Sequence, residues 1–198
     1  MQDRIILDLC GGTGSWSRPY KEAGYDVRVI TWPENDCNLW PAQPHDKTRL
    51  PSEFPSIEDY PKVHGILAAP VCTVFSWSGA CWPRSDEEIR QGLALVSACL
   101  RIIWALKPEW WAMENPVGKL RKWIGPPVMS FNPCDYGDPY KKKTLLWGDF
   151  NTRLIKNPVE PVIPSPLHQN YGGKSAKTKE ARSITPAGFA KAFFEANR

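Results

Sequence analysis

The sequence predicts an α/β fold built on a doubly wound, mostly parallel sheet. Three observations carry that expectation. Short apolar runs of strand length recur along the chain, without the polar alternation of a half-exposed sheet. Helical patterns alternate with them rather than following in one block. After the first run, Gly11, Gly12 and Gly14 crowd a tight strand-to-helix turn.

The elements follow in order. Arg4 to Leu9 (RIILDL) reads as a buried parallel strand. Ser17 to Ala23 reads as a helix, with Gly24 placed to end it. Val27 to Trp32 (VRVITW) is a second strand. Residues 33–62 are rich in Pro, Asp, Ser and Glu and read as loop with short helical pieces. Val63 to Ala69 (VHGILAA) is a third strand. Asp86 to Leu106 is a long amphipathic helix; Ser85 is its N-cap, and Asp86, Glu87 and Glu88 suit its positive start. Trp110 to Glu114 (WWAME) is a fourth strand, Lys143 to Trp147 (KTLLW) a further one, and Gly188 to Ala196 a closing helix. No internal repeat is present.

A chain of 198 residues is read as one domain, long enough for a core without disulfide staples. The six cysteines form no CxxC pair, and the histidines are His45, His64 and His168 alone, so no metal site is expected. No signal peptide or membrane span is read, and free thiols suit a reducing cytoplasm. A net charge of +4 permits a nucleic-acid partner without demanding one. Ten tryptophans suggest aromatic platforms beside core filling.

In doubly wound sheets, ligands bind beyond the carboxyl ends of the strands. Asp8 and the glycines stand at the first such end. The turn is no phosphate-binding P-loop, because no GK[ST] follows. After the third strand comes AAPVCTVFSWSG, positions 68–79, then ENP at Glu114 to Pro116, then YGDPYKKKT at positions 136–144.

In order and place these segments resemble the DNA cytosine-5 methyltransferase family. The family's DLFCGxGG motif, which ends at an AG about one helix later, aligns without a gap with Asp8 through Gly24. Its PC dipeptide followed by Q, a variable residue and FS is matched by Pro70, Cys72, Phe75 and Ser76. Its ENV motif is matched by Glu114 and Asn115, and YGxPQxRxR by Tyr136, Gly137 and Pro139. RxLTP is matched by Arg182, Thr185 and Pro186. The resemblance implies a Rossmann-like fold that uses S-adenosylmethionine as methyl donor.

It also implies roles. Cytosine C5 is a poor nucleophile until a thiolate adds to C6 and turns the ring enamine-like. Cys72 is that thiol by resemblance; outside this context a free cysteine is most often a small buried residue, and Cys10, Cys37, Cys81, Cys99 and Cys134 keep that reading. Glu114 would supply a proton near N3, which needs a pKa raised by a dry pocket. Asn115 would hold the loop or the base amino group. Cofactor contacts fall to Asp8, Cys10, Gly12, Gly14 and Pro70. Trp32 would stack on adenine. Thr31 stands where an acid usually takes the ribose hydroxyls; Asp36 could supply that carboxylate, with Asp46 a rival. DNA contacts fall to Ser76, to Lys141, Lys142 and Lys143, and to Lys174, Lys177, Lys179 and Arg182. Lys142 is also a catalytic candidate.

The departures are specific. Val71 separates Pro70 from Cys72, and Thr73 replaces the usual Gln. Tyr140, Lys142 and Thr144 replace a Gln and two arginines, so the planar guanidinium fork is lost while charge is kept. The terminal GN segment is missing. Residues 151–181 take the place of a full target-recognition domain and are too few for a core of their own. Short phage-borne members of the family look like this. The enzyme reads very short sites or none, acts on a substrate other than duplex DNA, such as RNA or a free nucleotide, or borrows recognition from a partner or a second copy. A non-catalytic binding homologue and a modified donor group remain alternatives.

Overall fold

The structure is a computed structural model, and it describes residues 4–31, 37, 61–77, 83–162 and 183–198. The elements are β1 (Ile5–Leu9), α1 (Arg18–Glu22), β2 (Asp26–Ile30), β3 (Val63–Ala68), α2 (Asp86–Leu106), β4 (Trp110–Pro116), α3 (Arg121–Ile124), β5 (Met129–Phe131), a 3-10 turn (Pro133–Tyr136), β6 (Thr144–Asp149) and α4 (Ala187–Ala196).

The strands form one sheet in the order β2-β1-β3-β4-β6-β5. Pairings among β2, β1, β3 and β4 are parallel, and β6 is antiparallel to both its neighbours. The period of two along β1 divides the core. Ile5, Leu7 and Leu9 join a cluster with Val96, Cys99, Ile102 and Ile103 of α2. Ile6 joins the opposite one with Tyr20, Phe189 and Phe193 of α1 and α4. Burial on both faces is why these strands read as continuous apolar runs.

Helix α2 forms because its start is capped and one side is apolar. Ser85 Oγ accepts from the Glu88 amide at 3.2 Å, and Glu88 Oε2 accepts from the Ser85 amide at 2.9 Å. Gly92, Val96, Cys99 and Ile103 form its buried stripe. By length and composition α2 could cross a bilayer, but here that stripe packs on the sheet. The opposite face is aromatic. Phe131 stacks on Phe189 with centroids 3.7 Å apart, and Tyr20 stacks on Trp110 at 5.5 Å.

The structure refines the strand reading in three places. β2 closes at Ile30, leaving Thr31 beyond it, and Trp32 lies outside the described residues. β4 runs on through Asn115 to Pro116. The KTLLW run enters at Thr144 and is antiparallel. Its cause is the connection from β4, which leaves and returns at the same edge: Pro116 is opposite Thr144 in the register. A strand entering from that edge must run back, whereas a parallel return needs a crossover. α3, β5 and the 3-10 turn were not readable; at four, three and four residues they carry no periodicity. Residues 151–162 contain no helix or strand, and the rest of the expected 151–181 loop lies outside the described residues.

Candidate active site

The sheet order changes direction between β1 and β3, so the crevice beyond their carboxyl ends is the topological switch point. The glycine turn and the Cys72 segment flank this crevice.

Three positions of the glycine turn are left-handed: Cys10 at φ 58°, Gly12 at 54° and Gly14 at 65°. The Cys10 amide donates to the Ile30 carbonyl at 2.7 Å, which ties the turn to the end of β2. Asp8 is fully buried beneath the turn and accepts a hydrogen bond from Ser17 Oγ at 2.5 Å. A Cβ at Gly11 would lie 2.3 Å from Asp8 Cγ, so this position admits no side chain. Asp8 Oδ1 has no hydrogen-bond partner among the described residues. Burial, opposed by the Ser17 bonds, raises the Asp8 carboxyl from 3.8 to about 6. Asp8 thus faces inward and shapes the turn from below, leaving Gly12 and Thr13 exposed above.

Cys72 follows β3 in a compact turn. Its carbonyl accepts from the amides of Phe75 at 3.1 Å and Ser76 at 2.9 Å, and Phe75 is anchored in the core. The turn is pinned to β1 and β4. The Ala69 amide donates to the Leu9 carbonyl at 2.9 Å, and Asn115 Nδ2 donates to the Pro70 carbonyl at 3.0 Å. Asn115 is fully buried. Pro70 itself is buried, while Val71 is exposed and Cys72 half-buried.

Glu114 precedes Asn115 on β4 and points to the other face. It lines a small cleft with Trp16, Phe131, Lys142, Thr144 and the segment Ser183–Pro186. Burial raises its carboxyl above the usual range, and the charge of Lys142 opposes that rise. The antiparallel entry of β6 is what brings Lys142 to this edge. Thr144, in place of an arginine, is buried and donates its hydroxyl to the Lys142 carbonyl at 3.0 Å. Lys141 and Lys143 are exposed.

The segment before α4 closes over both regions. Its Thr185 amide donates to Ser15 Oγ at 2.8 Å, and Ser183 Oγ would lie 3.8 Å from a Cβ at Gly12. One short stretch therefore touches the glycine turn and the Glu114 cleft together. Trp32, Asp36, Asp46, Cys81, Lys174, Lys177, Lys179 and Arg182 lie outside the described residues.

Sequence spacing gave no sign of one cluster. Cys10 Sγ lies 3.7 Å from Cys37 Sγ and 3.9 Å from Cys99 Sγ. All three sulfurs fall within 4.8 Å of one another, so three soft donors converge where no metal-ligand motif is written. Cys37 and Cys99 belong to the core. Hydrogen bonding to Cys37 and Cys99, with burial, pushes the Cys10 thiol up, so it stays protonated. Its side chain is directed into the core, which leaves its backbone to the turn.

No family model matches the chain. It is 25% identical over 214 aligned positions to the Type II methyltransferase M.DdeI of Desulfomicrobium norvegicum, covering 91% of this chain and 48% of that protein. It is 28% identical over 161 positions to a "Probable DNA (cytosine-5)-methyltransferase" of Frog virus 3, covering 73% of this chain and 70% of the relative. The chain is similar to DNA cytosine-5 methyltransferases. It spans about half the length of the first of these methyltransferases. Among solved structures, the Entamoeba histolytica methyltransferase EhMeth superposes with a TM-score of 0.48 at 12% identity, over 81% of this chain and 58% of the other.

Proposed function

We propose that the chain transfers a methyl group from S-adenosylmethionine to C5 of cytosine in DNA, with Cys72 as nucleophile and Glu114 as proton donor. The observation that carries this reading is the bond from Asn115 to the Pro70 carbonyl. It couples the turn bearing Cys72 to the strand bearing Glu114, so a thiol and a carboxyl leave neighbouring strand ends in fixed relation.

The residues at the glycine turn fit the cofactor. The turn is left-handed where it must be, open above, and backed by a buried carboxylate oxygen without a partner among the described residues. Gly12, Gly14 and Pro70 would border the donor, and Thr31, Trp32 and Asp36 follow the neighbouring strand. When bound, the donor supplies an electrophilic methyl group.

The chain's own groups do the rest. Cys72 loses its proton and its sulfur adds to C6, forming a C–S bond and moving electron density from the C5–C6 double bond toward O2 and N3. Glu114, whose carboxyl burial shifts upward, delivers a proton at N3 and stabilises that charge. C5 then carries the nucleophilic pair. After methylation the C5 proton leaves to solvent, the pair from the C5–H bond re-forms the C5–C6 double bond as the C–S bond breaks, N3 gives its proton back to Glu114, and the thiolate returns. Lys142, at the first of the family's two arginine positions, holds positive charge beside Glu114, while Thr144, at the second, donates its hydroxyl to the Lys142 carbonyl.

The test is covalent trapping. DNA with 5-fluorocytosine, incubated with the protein and donor, is expected to yield one adduct mapping to Cys72, because fluorine at C5 blocks elimination. Cys72→Ala is expected to abolish it with cofactor affinity retained. An adduct at Cys81, or full turnover by the Cys72→Ala variant, would overturn the assignment. Offering RNA and free cytidine nucleotides in parallel distinguishes the substrate classes.

A further inference from the structure

Two segments leave the carboxyl edge of the sheet side by side. Residues 69–77 follow β3 and residues 117–124 follow β4. They are laced together: the Trp77 amide donates to the Val117 carbonyl at 3.1 Å, the Lys119 amide donates to the Phe75 carbonyl at 2.7 Å, and Ser76 pairs with Gly118. The approach is so close that a Cβ at Gly118 would lie 2.0 Å from the Phe75 carbonyl oxygen.

This lacing fixes a surface that neither the cofactor turn nor the Glu114 cleft uses. Trp77 is 51% exposed and Trp123 58% exposed. The Arg121 guanidinium lies 5.3 Å from the Trp77 ring centre. Lys119, Arg121 and Lys122 are all exposed, and none forms an ion pair with a carboxylate among the described residues. From Val117 to Val128 the sequence VGKLRKWIGPPV contains no acid. Two large indoles left in water beside three cations have a definite chemical complement. It is a polyanion that also offers flat apolar faces, and single-stranded nucleic acid has both: phosphates for the cations and unstacked bases for the rings.

We propose that Trp77, Lys119, Arg121, Lys122 and Trp123 form a docking platform for an unpaired nucleic-acid strand. The inference rests on the reading of Cys72 as the cytosine nucleophile, because the platform is built on the turn that carries it. The strand on either side of the reacting cytosine lies along α3, with phosphates on the cations and a neighbouring base against an indole. Such contacts recognise the backbone and base faces, not base identity. They supply grip beside the reacting base in a chain whose 151–181 segment is too short for a recognition domain.

The experiment measures binding of the full chain to a mixed-sequence 20-nucleotide single strand across a salt series. Trp123→Ala is expected to weaken binding about 5- to 150-fold, the range seen for lost base stacking. Lys119→Ala with Lys122→Ala is expected to lower the salt slope by about 1.4, at roughly 0.7 for each phosphate on a single strand. All three side chains are exposed, and unchanged thermal unfolding verifies the fold. Unchanged affinity in the Trp123 variant together with an unchanged slope in the lysine variant overturns the platform. That is also the result expected if these indoles serve a protein partner. Trapping at Cys72 with 5-fluorocytosine is run beside it. Loss of the adduct with the platform effects intact refutes the nucleophile and leaves the platform; an adduct without platform effects does the reverse.

Discussion

The Asn115 side-chain amide donates to the Pro70 carbonyl across 3.0 Å, joining two strand ends whose parallel register pairs Ala68 with Met113. Each partner stands two residues beyond that pair, so the bond continues the register as a side-chain rung. It places the turn bearing Cys72 against the strand bearing Glu114 without any contact between those two side chains being required.

Removing that rung is expected to separate positioning from binding. Asn115→Ala leaves the Pro70 carbonyl without its donor inside the core, which costs about 1–3 kcal/mol. Adduct formation at Cys72 is expected to slow by more than cofactor affinity falls. Asn115→Asp places an acceptor against an acceptor and is expected to be worse on both counts. Urea unfolding and the rate of 5-fluorocytosine trapping measure the two effects, and equal trapping rates in Asn115→Ala and the parent would remove Asn115 from the site.

Asp8 makes stability depend on pH in a fixed direction. Its folded carboxyl titrates at about 6 against 3.8 in the free chain, so the fold holds the proton more tightly than the unfolded state does. Stability from this group is therefore greatest at low pH and is lost as pH rises from about 4 to about 6. The full loss is about 3 kcal/mol above that window. Asp8→Asn has no such titration. Relative to the parent it is expected to gain stability across that window, read from urea unfolding between pH 4 and 7.5. Parallel curves for the two proteins would mean that Asp8 does not titrate inside the fold.

Glu114 gives a second pH signature, in rate. Burial holds its proton to higher pH than an ordinary carboxyl, so trapping at Cys72 keeps its Glu114 contribution at low pH and loses it as pH rises through the raised pKa. Lys142 opposes the rise, so Lys142→Met is expected to move that decline to higher pH. Glu114→Gln removes the ionisation altogether. It is expected to flatten this limb and to lower the maximal rate by about 10²–10⁴-fold, the range for a lost general acid. A pH–rate series on the three proteins checks it; a limb that stays in Glu114→Gln belongs to another group.

Much of this was legible in the sequence because the deciding signals are local. The capping box at Ser85 and Glu88, the apolar runs of β1, β3 and β4, and the glycines after Asp8 each act within a few residues. What was not legible depends on partners far apart in the chain. β6 is apolar whichever way it runs, and only its entry beside Pro116 sets its direction. The thiols of Cys10, Cys37 and Cys99 meet although they stand far apart in the chain, with no spacing to announce it. Trp16 and Trp110 fill the core while Trp77 and Trp123 stand in water, and no composition count divides them. Asp8 was readable as a residue of the glycine turn, but not as a carboxyl turned inward to Ser17.

Gly118 supplies the sharpest test of how the two strand-end segments are held. A methyl group there would lie 2.0 Å from the Phe75 carbonyl oxygen, a backbone atom with no rotamer to give way. Gly118→Ala must therefore part residues 75–77 from 117–119, which costs about 1–3 kcal/mol by the measure of overpacked sites. The contact lies at the carboxyl edge of the sheet, where Phe75 and Leu120 enter the core, so the strands behind it are expected to survive, as is the glycine turn. Cofactor affinity should then change little, while trapping at Cys72 and binding of a single strand fall together, since both depend on the lacing. Gly24→Ala is the control. It adopts φ +85° with open space around it, so it carries only backbone strain, away from both segments. Calorimetry for the cofactor, trapping for Cys72 and a titration for the strand separate the effects. If Gly118→Ala traps and binds like the parent, the two segments are not locked together, and the coupling between Cys72 and the Trp77–Trp123 surface has to be abandoned.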